Sequence, residues 1–254
     1  MKKIIIATLG LALAGLAQSA SADLYRLSDR IGMGSSAVFN FSDTDSFGYG
    51  IHGDYTVGLY SWSHSIYAQT DYSLDIFHTD LEAANWSLIV TRDFGDYKLG
   101  GFIGALMAKD TEIHFSAGAT GMFQLGDNTI IQGEVGALTN GRDGAFFINN
   151  LYFGQVRMDY DISDTYGVYA KYSRIQIEDT PGIDRGVVGV TYTQPNSPWI
   201  LNGGVGAFRD SLGYHPLLSA EFKYEFGGDA LPQQPSKLAG TYFDKFEIFD
   251  FNIK

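Results

Sequence analysis

A chain of 254 residues with a formal net charge of −12 and no cysteine is held by packing and hydrogen bonds alone. Disulfides, thiol catalysis and metal–thiolate centres are excluded, and the acidity lacks the basic footprint that nucleic-acid binding needs. The mean hydropathy of −0.05 reads as a water-soluble protein, but that reading fails for membrane β-barrels, whose apolar and polar residues alternate and average out.

Residues 1–22, MKKIIIATLGLALAGLAQSASA, place Lys2 and Lys3 before an apolar core from Ile4 to Leu16 and end on Ala20-Ser21-Ala22. This is the layout of a secretory signal peptide, and the apolar run is short for a spanning helix. The remainder is expected to be exported.

From there the chain alternates. A weak first strand, IGMGSSAVFNF (Ile31–Phe41), is followed by FGYGIHGDYTVGLY, in which Phe47, Tyr49, Ile51, Tyr55, Val57 and Leu59 share one parity and Gly48, Gly50, His52 and Asp54 the other. SWSHSIYAQTDYSL sets Trp62, Ile66, Ala68, Tyr72 and Leu74 against Gln69 and Asp71. NWSLIVTRD, YKLGGFIGALMA, EIHFSAGATGMFQL and TIIQGEVGAL continue the pattern, with Glu112, His114, Gln132 and Glu134 on the polar parity. LYFGQVRMDY carries Gln155, Arg157 and Asp159 there. TYGVYAKYS, RGVVGVTYT, PWILNGGVGAF and HPLLSAEFKYEF complete the set. Period-two alternation is the signature of a strand between two different environments. Several runs persist for about 10–14 residues, longer than the usual ~5–6 of soluble strands and long enough for a tilted strand to span a bilayer.

The connections sort by side. GLYS, DFGD, GDN, DISD and QPNSP are tight and rich in turn residues; DIFHTDLEAA, TNGRDGAFFIN, EDTPGID and RDSLGYH are longer. Short turns at one end and longer loops at the other, with Trp and Tyr near strand ends, fit an outer-membrane barrel. The expected fold is all-β: a transmembrane antiparallel up-and-down β-barrel of about twelve strands over residues 23–226. GGDALPQQPSK (Gly227–Lys237) then reads as a linker, and GTYFDKFEIFDFNIK, through 254, as an aromatic tail with apolar residues on both parities. It is a periplasmic appendage, a plug or a closing strand.

The signal peptide, alternating strands, turn asymmetry and aromatic-ending strand resemble Gram-negative outer-membrane β-barrels, broadly porin-like. Phe222-x-Tyr224-x-Phe226 looks like the signal by which the barrel assembly machinery recognises a last strand, although here 28 residues follow it (254 − 226). The resemblance implies an outer-membrane location and contact with lipid and lipopolysaccharide; no enzyme activity and no cofactor are expected from the residues weighed below.

On the strand parity, the lumen would be lined by His52, Asp54, Asp71, Lys98, Glu112, His114, Glu134, Arg157, Asp159, Lys171, Arg185, Glu221, Lys223 and Glu225, with an acidic excess that favours cations. Glu112, His114 and Ser116 share a face but project in parallel about 7 Å apart, too far for a hydrolytic triad. Histidines are scattered, and SDTDS and TNGRDG lack calcium-loop spacing. Glycines on the inward parity (Gly48, Gly50, Gly100, Gly104, Gly118, Gly204, Gly206) are read as leaving space for a narrow channel passing small hydrophilic solutes or ions. The alternatives are a non-channel surface barrel and, third, an outer-membrane hydrolase.

Overall fold

The structure is a computed structural model. It describes residues 24–39, 47–62, 66–77, 80–108, 113–138, 151–177, 182–210, 213–226, 238 and 242–244; within the first two strands it describes only the side chains of Arg30, Ile31 and Met33. The strands are β1 (Leu24–Phe39), β2 (Phe47–Trp62), β3 (Ile66–Phe77), β4 (Asp80–Asp93), β5 (Tyr97–Ala108), β6 (Ile113–Leu125), β7 (Thr129–Leu138), β8 (Leu151–Asp161), β9 (Tyr166–Ile177), β10 (Ile183–Thr193), β11 (Trp199–Asp210) and β12 (Gly213–Phe226). Each pairs antiparallel with the next. β12 also pairs with β1, Phe226 opposite Asp29 and Leu217 opposite Val38, so the sheet closes on itself. Closure removes the open edge that no sheet can present to lipid.

Several strand limits differ from the sequence reading. β1 begins at Leu24, well before Ile31. GLYS is no turn: the β2–β3 register shifts between Val57 and Leu59, a bulge that absorbs Gly58 and lets β2 run on until Trp62 faces Ile66. DIFHTDLEAA is mostly strand, because a shift between Asp75 and Ile76 carries the β3–β4 pairing to Phe77 opposite Asp80. RDSLGYH is likewise paired up to Asp210 opposite Gly213, where a φ of +135° suits glycine. DFGD, GDN, DISD and QPNSP do form the reversals. The Phe94 N–H donates to the Tyr97 carbonyl (2.9 Å), and Gly95 and Asn196 take positive φ. The region of TNGRDGAFFIN lies outside the described residues.

The alternation produces an inverted molecule. Outward positions are large and apolar and stand exposed: Leu99, Ile103 and Met107 on β5, Val156 and Met158 on β8, Val188 and Val190 on β10, Phe222 on β12. Inward positions are buried and, in half the barrel, polar. At the tight-turn end, Phe94 of the β4–β5 turn stacks on Tyr97 (4.9 Å between centroids), and rings pair across neighbouring strands, Tyr166 with Tyr192 (5.4 Å) and Trp199 with Tyr224 (4.8 Å). This is the amphipathic girdle expected where hydrocarbon meets headgroups. Such an exterior has lipid as its solvent.

A positional test follows. Val188 is 58% exposed at the middle of β10, and Tyr214 is 75% exposed at the loop end of β12. Val188→Arg is expected to weaken folding into lipid vesicles by about 2–4 kcal/mol, and Tyr214→Arg by about 0–1 kcal/mol. Urea titration of each variant in vesicles reads the difference; equal losses would contradict a lipid-facing β10.

Candidate functional site

The barrel interior has two zones. Toward the longer-loop end the inward side chains are mostly apolar: Phe102 and Leu106 (β5), Leu138 (β7), Phe153 (β8), Ile175 (β9), Ile183 (β10) and Phe208 (β11) are buried in one cluster, and Arg185 and His215 are buried at that end as well. Toward the tight-turn end they are mostly polar: Gln69 and Asp71 (β3), Lys98 (β5), Gln132 and Glu134 (β7), Gln155 and Arg157 (β8), Lys223 (β12) and Arg30 (β1) are all buried, with Met122 of the apolar cluster opposite Lys98 and Gln132. The sequence reading expects a polar lumen; the apolar collar corrects that. Its members sit on the same parity as the charges but nearer the opposite strand ends, so parity alone could not separate the zones.

Several polar pairs run along the wall. Arg157 holds Asp159 two residues on (Nη2 to Oδ1, 2.7 Å), and Lys223 meets Glu221 (3.3 Å). Asn202 donates to Glu221 (2.7 Å), and Gln155 to Glu134 (3.2 Å). Each joins a strand to itself or to its neighbour. Leu238, Tyr242, Phe243 and Asp244, the described residues of the C-terminal tail, add contacts that reach strands on opposite sides of the barrel.

Tail residues Leu238, Tyr242 and Phe243 are buried, Leu238 at 0% and Phe243 at 3% exposure, and Leu238 and Phe243 join the apolar cluster. Gln69 treats Phe243 as a strand partner would: its Nε2 donates to the Phe243 carbonyl (2.9 Å) and its Oε1 accepts from the Phe243 N–H (3.0 Å). Gln132 accepts from the Asp244 N–H and donates to Oδ2 (both 3.1 Å), while Gln155 donates to the Asp244 carbonyl (2.9 Å). Three glutamines thus satisfy backbone groups whose burial would otherwise be costly.

The Asp244 carboxylate is the hub. Oδ1 takes Lys223 Nζ at 2.8 Å and Arg30 Nη2 at 3.4 Å; Oδ2 takes Arg157 Nη1 at 2.6 Å. Arg30 and Lys223 stand on the adjacent strands β1 and β12, Arg157 and Gln132 on β8 and β7 across the ring, so one carboxylate ties opposite walls together. Cation–π contacts flank it, with Arg30 over Tyr242 (4.7 Å) and Lys98 over Phe243 (5.4 Å).

The expected lumen residues fall as follows. Asp71, Lys98, Glu134, Arg157, Arg185 and Lys223 are buried on the inner wall; His114, Asp159, Lys171, Glu221 and Glu225 share that wall half-buried. Arg157, Asp159, Glu221 and Lys223 gather about Asp244, whereas His114 lies away from them, opposite Leu106. His52 and Asp54 are β2 positions opposite Gly34 and Gly32 of β1, and their side chains lie outside those described. Glu112 lies outside the described residues. Phe222 is exposed on the outer face, with Tyr224 and Phe226 packed ring to ring (5.9 Å) beside it. Arg30 does not stand out in the sequence as a site residue, and Gln69, Gln132 and Gln155 show only as polar side chains on the inward parity; a plug is one of the three readings the sequence leaves for the tail.

Of the inward glycines, the surroundings of Gly48 and Gly50 lie outside those described, and the others do not leave free space. A Cβ on Gly118 would lie 2.4 Å from the Phe102 ring and 2.2 Å from the Val135 carbonyl oxygen; one on Gly204 would lie 2.5 Å from the Tyr169 hydroxyl. Gly100, Gly104 and Gly206 are as closely approached by backbone of the neighbouring strand. They are there to admit aromatic rings and tight strand contact.

No protein-family model and no curated protein matches this sequence. Solved structures do match its fold. The KdgM porin aligns with a TM-score of 0.55 at 8% identity, covering 78% of this chain and 99% of the porin. The NanC porin gives 0.57 at 7%, covering 78% and 98%. An outer membrane channel from Pseudomonas putida F1 gives 0.56 at 10%, covering 81% and 98%. The fold is that of outer-membrane porins and channels.

Proposed function

We propose that this protein is a porin-like outer-membrane channel for passive diffusion of small hydrophilic solutes or ions, held shut here by its own tail. One observation carries the reading. The charged and amide side chains at the tight-turn end converge on a separate segment of chain, and the wall-to-wall pairs named above stay within neighbouring strands. The inner surface thus presents its cations and amides to a segment that is not itself part of the barrel wall. Twelve strands enclose more room than the about eight that side chains alone can fill. The described polar groups would replace hydration for a passing solute, and the fold neighbours that are porins and channels support the same reading.

The docked tail also gives weight to a second reading, a permanently closed barrel acting as a structural or surface protein. Swelling of proteoliposomes in graded solutes separates the two. A channel is expected to pass small sugars and amino acids with a size cutoff, faster once the tail is weakened by Asp244→Asn. Swelling no faster than protein-free vesicles, for both chain and variant, would leave only the closed barrel.

A further inference from the structure

We propose that Arg30, Arg157 and Lys223, with the Gln132 amide, form a binding site for the carboxylate of a small solute, occupied in cis by Asp244, and that a free carboxylate competing for it releases the tail. This rests on the channel reading and deepens it by naming a solute class and a gate.

The Asp244 oxygens receive four donors from four strands: Lys223 (2.8 Å) and Arg30 (3.4 Å) on Oδ1, Arg157 (2.6 Å) and Gln132 (3.1 Å) on Oδ2. Charge-assisted contacts of this kind are the strong ones, and the guanidinium suits a planar carboxylate. Among the groups gathered here, Arg30, Arg157 and Lys223 stand against Asp159 and Glu221 on the wall. Three positive and two negative charges leave one positive charge, which one incoming carboxylate neutralises. All the donors belong to the barrel and none to the tail. The wall therefore offers the same coordination to any carboxylate that reaches it.

Asp244 follows the last strand residue by 18 positions (244 − 226). A tether of that order holds it at an effective concentration of about millimolar, so a free carboxylate competes only at or above that range. Once the carboxylate is displaced, Leu238, Tyr242 and Phe243 lose the anchor that spans the lumen, and the tail opens far enough for water to reach them.

The chain contains no cysteine, so a single introduced thiol reports tail release. Leu238→Cys and Tyr242→Cys, both at buried positions, are placed separately in the full chain and labelled with a charged, water-soluble maleimide. Sodium gluconate is compared with sodium chloride at equal ionic strength. Gluconate is expected to speed labelling by about tenfold or more at both positions. Adding Asp244→Asn is expected to give the fast rate in chloride with no further response to gluconate, and Asp244→Glu to preserve the response. Equal rates in gluconate and chloride, or a full gluconate response in Asp244→Asn, would overturn the site. Labelling reads the tail and not the current: a barrel that releases its tail to gluconate yet passes no solute keeps the site and loses the channel reading.

Discussion

Replacing Asp244 with alanine is expected to free the tail while leaving the barrel standing. Removing one partner of a buried, hydrogen-bonded ion pair typically costs about 3–5 kcal/mol, because the charges left behind are uncompensated. Here three cations would face the gap, at 2.6–3.4 Å from the lost oxygens. The tail has an escape that a core residue lacks: it can leave, letting water reach Arg30, Arg157 and Lys223. The cost is therefore capped at the free energy of docking and falls on the tail. The sequence places Lys245 next to Asp244. Trypsin is expected to cut there about a hundredfold faster in Asp244→Ala, whereas the urea midpoint of the barrel, set by twelve ladders of backbone hydrogen bonds, barely moves. Proteolysis tracks the population of the open form when opening is fast, so the rate ratio reads the docking energy. Cleavage equally fast in both proteins would show that Asp244 anchors nothing.

The second large effect is expected in the wall. A Cβ on Gly206 would lie 2.0 Å from the Gly186 carbonyl oxygen and 2.9 Å from the Val187 Cα. Both obstacles are backbone, and moving them means distorting the β10–β11 ladder, in which Gly206 stands opposite Val187. Ordinary overpacking costs about 1–3 kcal/mol through side-chain adjustment; Gly206→Val has no side chain to displace and is expected to exceed that range. Gly203, three residues earlier on the same strand, faces outward, and a Cβ added there would meet nothing within 4 Å. Gly203→Ala is expected to change stability by less than about 0.5 kcal/mol. Urea midpoints of the two variants refolded into vesicles give the comparison, and similar midpoints would mean that close strand approach does not explain Gly206.

What the sequence made legible follows from what is local. Strand parity is written in consecutive residues, so the outward Val156 and Met158 and the inward Gln155 and Arg157 could be assigned without any tertiary information. The tight turns DFGD, GDN and DISD carry their own Gly, Asp and Asn markers. Bulges are harder: Gly58 and Glu82 look like turn and loop residues, but each is an extra residue inside a paired strand, and that depends on pairing. What meets across the lumen was invisible, because it depends on closure. Arg30 and Arg157 are far apart in the chain and on opposite sides of the ring, and nothing local states that one carboxylate joins them. The tail's mixed parity has a physical explanation. Tyr242, Phe243 and Asp244 touch the wall on different sides of a lumen, so their apolar and charged groups need no common face. The inward glycines mislead for a related reason. A missing side chain on one strand is filled by a ring from the next, as Phe102 fills the place beside Gly118 and Gly136.

The central claim is that a polar lumen is closed by a tail anchored through Asp244. Single-channel recording in planar bilayers tests it most directly, with the intact chain and Asp244→Asn purified and reconstituted alike. The account predicts rare, brief conductance steps from the intact chain and frequent, sustained steps of uniform size from the variant. Identical records from the two, whether silent or fully conducting, would contradict it.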